Sequence, residues 1–144
     1  MYHENTKKRK MALNYIRSEL ANDVENLATK IVNCAFRVHK YFGPGLTERI
    51  YEEAFCKALE DEKILFERQK PVHIFFEHHD LKLDYKLDLL VENEIVVELK
   101  CVENLLPLHK SQIMTYMRLV DKRLGFLINF NTLNIGQGIK RVIL

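Results

Sequence analysis

The stretch "LDLLVENEIVVELK", residues 87–100, sets two alternating segments on either side of a polar turn made by Glu92, Asn93 and Glu94. Alternation with a period of two is the pattern of a β-strand, whose successive side chains point to opposite faces. Turn length then fixes the face each charge takes. With a three-residue loop, Val91 pairs with Ile95 and Asp88 falls directly across from Glu98. A two-residue loop would put Asp88 opposite Leu99 and send the two carboxylates to opposite faces. The longer loop is expected, because it keeps Leu87, Leu89 and Val91 with Ile95, Val97 and Leu99 on one apolar face. Lys100 shares the face of Glu98, and the same register sets Lys86 opposite Lys100.

Outward from this hairpin, "LKLDYKLDLLV" extends the alternation back through Leu81, Leu83 and Tyr85. "HHD" (78–80) makes a turn, and "ILFERQKPVHIFFE" reads as the strand before it, with Pro71 marking an edge or bulge. Downstream, Pro107 opens a helix, "PLHKSQIMTYMRLVDKR", that carries Ile113, Tyr116, Met117 and Val120. "GFLINF" and "IKRVIL" are two further strands. Upstream, "TERIYEEAFCKALEDEK" is a helix with Ile50, Ala54 and Ala58 inward, joined by Tyr51, Phe55 and Leu59. Before it, Asn22 or Asp23 caps a helix bearing Val24, Leu27, Ile31, Cys34, Ala35 and Val38, which Gly43 and Pro44 stop. Residues 1–22 form a separate basic extension, opened by "KKRK" (7–10), with Leu13, Ile16 and Leu20 at helical spacing. It reads as a loosely docked segment or as an arm that touches phosphates. Helix, helix, three strands, helix and two strands imply one domain, 23–144, around a mixed α/β sheet.

The 144 residues are enough for one real core, and 47% hydrophobic with 29% charged is ordinary for a globular protein. A formal charge of +2 names no partner, although 22 Lys and Arg allow a local basic surface. Cys34, Cys56 and Cys101 form no CxxC pair, which argues against a disulfide framework or a structural zinc and suits a reducing cytoplasm. No apolar run is long enough for a membrane span, and the first residues do not read as a secretory signal. A homo-oligomer is compatible with the sequence but not indicated by it. His73, His78 and His79 decorate a wet hairpin, and "GPG" (43–45) follows a helix, so it is no dinucleotide fingerprint.

Two carboxylates facing each other at about 4.5–5.5 Å repel, and that needs a reason. A solvated hairpin face is one. The other is a hard cation such as Mg²⁺ (or Mn²⁺), which binds through one or two carboxylates and keeps several waters. Lys100, next on that face, can then contact a phosphate or help deprotonate a water. Asp88, Glu98 and Lys100 are thus a candidate phosphodiester hydrolysis site.

"GLTERIY" (Gly45, Glu48, Tyr51) matches the GxxExxY signature, and "AFRVHKYFGPGLTERIYEEAF", "LDLLVENEIVVELK" and "HKSQIMTYM" resemble the successive blocks of the GxxExxY family over about residues 27–144. That family is assigned to the PD-(D/E)XK nuclease superfamily, and the resemblance implies a restriction-endonuclease-like αβββαβ core. It makes Asp88 the PD aspartate, with Leu87 in place of the proline, and Glu98 and Lys100 the (D/E)XK pair. The Leu99 carbonyl becomes a further metal ligand and Glu48 an additional acid aimed at the metal. Gln112 and Tyr116 match a QxxxY motif and share a helix face, placing them on the phosphate backbone with His109 beside them. Glu48 also suits the helix dipole by itself, and Tyr51 and Tyr116 suit a core. The expected function is a metal-dependent nuclease acting on DNA rather than RNA. The alternatives are a non-catalytic nucleic-acid- or protein-binding module that keeps the fold, and a structural subunit.

Overall fold

The computed structural model describes residues 2–144, apart from the side chains at 2–4, 17 and 20. Five strands form one sheet in chain order, β1 (Phe66–Phe76), β2 (His79–Val91), β3 (Ile95–Lys100), β4 (Leu124–Asn129) and β5 (Ile139–Ile143). All neighbours are antiparallel except β3 and β4, which run parallel. A parallel step needs a crossover, and α3 (Pro107–Leu119) supplies it. Helices α1 (Tyr2–Phe42) and α2 (Glu48–Asp61), with the short α4 (Ile135–Gly138), pack on the other face. The chain thus contains the restriction-endonuclease-like order α2-β1-β2-β3-α3-β4, with α1 in front and α4 and β5 behind.

The sheet is covered on both sides, so its central strands are continuous apolar runs. All six residues of β4 and the first five of β3 are buried. Leu89, Val91, Ile95, Val97, Leu99, Phe126 and Ile128 pack against α1 and α2. Leu87, Leu90, Val96, Leu127 and Val142 pack against Ile113 and Met117 of α3.

The β2–β3 turn has the expected length, with Val91 paired to Ile95, Leu90 to Val96 and Leu89 to Val97. The single apolar face expected for β2 is not observed. Leu87 packs on the α3 side while Leu89 and Val91 pack on the α1/α2 side, so the inward parity switches at Asp88. Gln69, between the partners of Leu87 and Leu89 on β1, has φ of +50°. Farther out Leu81 and Leu83 are exposed, as are Phe75 and Phe76, because the β1–β2 ribbon runs past the helices that would cover it.

Helix α1 also departs from expectation. It runs unbroken through Asn22 and Asp23 rather than starting there. Neither residue breaks a helix at more than about 0.7 kcal/mol, and no Gly or Pro occurs before Gly43. Packing on the body begins at Val24 and continues through Leu27, Ala28, Ile31, Ala35 and Val38. The described side chains from Asn5 to Asp23 are exposed, and Leu20 lies outside the described side chains. Gly43 ends the helix as expected, at φ +66° with its N–H donating to the His39 carbonyl at 2.7 Å. On α2 the buried stripe is Tyr51, Phe55, Ala58 and Leu59, which leaves Ile50 exposed. No helix among the described residues is long and apolar enough to cross a membrane.

Candidate functional site

The loop before α2 is held by an aromatic clamp. Buried Tyr51 stacks on Phe130 with centroids 4.8 Å apart and planes within 2°. Its hydroxyl donates to the Gly43 carbonyl at 2.5 Å and accepts from the Leu46 N–H at 3.2 Å. Tyr51 is therefore a core residue that fixes the loop delivering Glu48, the first residue of α2. The same helix is fastened to β1 by Arg68, which donates to Glu52 at 2.8 Å and Glu53 at 2.7 Å, and by Gln69, which donates to Glu52 at 2.7 Å.

Between β2 and β3 the ladder stops at Leu89 and Val97, and carboxylates take over from carbonyls. The Asp88 N–H donates to Glu98 Oε1 at 3.3 Å, and the Leu99 N–H donates to Asp88 Oδ2 at 2.9 Å. Asp88 and Glu98 are thus brought together, as the three-residue turn requires. Glu98 is 2% exposed. Burial first, then the Asp88 carboxylate, lift its carboxyl far above the usual range against the pull of Lys100. A raised pKa at Glu98 favours its neutral form, which lessens the repulsion between the two acids. Because the ladder has opened, exposed Lys86 is not paired across to Lys100.

Glu48 stands at the rim of this junction, exposed on its outer side. Partial burial of the carboxyl raises its pKa, then Asp88 raises it further, while Lys100 lowers it. Lys100 is half-buried at the end of β3, and its carbonyl accepts from the Phe130 N–H at 3.0 Å. Buried Asn129 steadies the following segment, accepting from the Val102 N–H at 3.1 Å and donating to the Val102 carbonyl at 2.9 Å. None of the ion pairs formed among the described residues uses Lys100.

On the α3 side the Tyr116 ring stacks on Tyr85 of β2, centroids 4.1 Å apart. Burial, the Tyr116 hydroxyl and the charges of Glu98 and Asp88 all raise the Tyr85 pKa, which places Tyr85 beside the acids. The sequence reading missed this residue by treating it as one more member of an apolar face. Gln112, one turn before Tyr116, is half-buried. His109 acts locally, its Nδ1 accepting from the Leu106 N–H at 2.9 Å and so capping the start of α3. His73 is engaged with Asp84 and Asp80 on the exposed ribbon.

Among the described residues no group of three or more His, Cys, Asp or Glu side chains is close enough to hold one metal ion. The donor set at the junction is the Asp88–Glu98 pair, two hard carboxylates brought together by their backbone hydrogen bonds. That fits an ion of the Mg²⁺ kind, which takes one or two carboxylates and completes its shell with water. No curated protein and no solved structure matches the chain significantly. The family model described as the PD-(D/E)XK nuclease superfamily matches residues 25–142, from the docked half of α1 to β5. With every acid of the junction, Lys100 and the whole of α3 inside that span, the chain belongs to the PD-(D/E)XK nuclease superfamily.

Proposed function

We propose that this protein is a metal-dependent nuclease that hydrolyses phosphodiester bonds, in DNA rather than RNA. The observation that carries the reading is the opened end of the β2–β3 ladder, where Asp88 meets Glu98 two residues before Lys100 on β3. Asp88, Glu98 and the Leu99 carbonyl would hold Mg²⁺ or Mn²⁺, with Glu48 as the additional acid at the rim. When bound, such an ion lowers the pKa of a water and polarises a phosphoryl oxygen. The protein's own groups do the rest. Lys100, used by no ion pair among the described residues, orients the attacking water and stabilises charge that develops on the phosphate. Asp88 and Glu98 hold their positions through the backbone amides they accept from, so they need little reorganisation. Gln112 and Tyr116 position the phosphate backbone along α3, and His109 holds the start of that helix. The GxxExxY resemblance supports the same assignment, since Tyr51 and Glu48 of that motif are the clamp and the acid it delivers.

The test is cleavage of single- and double-stranded DNA and of RNA, with and without Mg²⁺ or Mn²⁺. Lys100→Ala is expected to lower the rate by on the order of 10²–10³-fold, and Asp88→Ala to abolish it. Equal cutting by the wild type and both variants overturns the reading. Tight binding without turnover, unchanged in Glu98→Gln, would leave a non-catalytic binding module in its place.

A further inference from the structure

The face of α1 that docks on the body does not end where the body ends. Val24, Leu27, Ile31, Ala35 and Val38 recur every three or four residues and pack on the sheet or α2. Carried back along the helix at about 100° per residue, that stripe continues through Ile16 and Leu13. Leu13 is 54% exposed and Ile16 51%. With 41 residues α1 is about 60 Å long. Its first half projects an apolar ridge, Leu13 and Ile16, that no described residue buries.

Charge along the same half is largely sorted by position, with Glu4 and Arg17 the two exceptions. Lys7, Lys8, Arg9 and Lys10 lie before the ridge, and Glu19, Asp23 and Glu25 lie beside or after it. Two of these acids also bond within the chain, Glu19 with the Tyr15 hydroxyl and Glu25 with Arg141. We propose that the occupant of this ridge is a second copy of the chain, whose α1 packs antiparallel to the first. Set head to tail about Ile16, the described ridge residues Leu13 and Ile16 of the two copies lie against each other. The basic segment 7–10 of each then runs level with residues 22–25 of its partner, which include Asp23 and Glu25. A parallel pair would instead stack base on base and acid on acid. An arm that grips phosphate alone explains the lysines but leaves the ridge uncovered. The association is independent of the chemistry at Asp88 and Glu98.

Sedimentation equilibrium of the full chain at low and high salt tests this. A dimer is expected, weaker at high salt. Leu13→Glu with Ile16→Glu raises its dissociation constant by about tenfold or more, because a charge would be buried against an apolar partner. Glutamates there could also loosen the helix, so the deciding variant is K8E/R9E/K10E, which keeps the ridge intact. An antiparallel pair is weakened by that reversal. A monomer at every concentration overturns the proposal, as does a dimer that either variant leaves unchanged or that the reversal strengthens. A monomer whose affinity for duplex DNA falls on charge reversal also overturns it and assigns the segment to nucleic acid.

Discussion

Burial, with Asp88 against it, raises the Glu98 carboxyl well above the usual carboxylate range. A carboxyl whose folded pKa is raised contributes its full stability below the unfolded pKa and loses it as pH climbs through the folded value. Glu98→Gln replaces the protonated acid with a neutral amide of the same shape. In chelator, thermal unfolding of this variant is expected to lie above the wild type at pH 8, by about 2–4 °C for each kcal/mol relieved. The two should coincide near pH 4, and added Mg²⁺ should stabilise only the wild type. A Glu98→Gln variant that melts below the wild type at pH 8 would contradict the burial argument. Tyr51 makes a simpler case. Tyr51→Phe keeps the stack on Phe130 but removes both loop hydrogen bonds, one at 2.5 Å and one at 3.2 Å. Urea unfolding should show a loss of about 1 kcal/mol. Cleavage should fall as well, because the loop that delivers Glu48 loosens.

At the level of elements, the approach of α3 to the sheet depends on a missing side chain. A Cβ on Gly125 of β4 would sit 2.7 Å from Met117 Sδ and 3.2 Å from both Ile113 Cδ1 and the Val96 carbonyl. Gly125→Ala is therefore expected to cost about 1–3 kcal/mol in urea unfolding. It should also weaken cleavage more than folding alone explains, since α3 carries Gln112 and Tyr116. The hairpin that brings the acids together was legible in the letters, because a three-residue turn leaves one parity for Asp88 and Glu98. The kink at Asp88 was not, because a binary pattern assumes that alternation continues. Leu87 and Leu89 look equivalent in sequence, yet they serve opposite cores. Nor was the unbroken α1 legible. Asn22 and Asp23 make a credible cap, but a cap preference of about 1 kcal/mol does not stop a helix that nothing breaks. Tyr85 was hidden for a related reason: its stacking partner Tyr116 lies on an element whose placement only the fold supplies.

At the scale of the whole molecule, the family match ends at residue 142 and begins at residue 25, near the point where α1 meets the body. The sheet has two open margins, β1 and β5. On β5, Lys140 and Arg141 are exposed. On β1, Pro71 offers no N–H, Gln69 turns through φ +50°, and the register slips between Ile74 and Phe75. A foreign strand laid along that side would find gaps and bends where it needs an even row of amides. Stacking of sheets into fibres is thereby discouraged, and the protein should tolerate being concentrated. Pro71→Val restores the missing amide and should raise light scattering on concentration or mild heating, while the wild type stays clear.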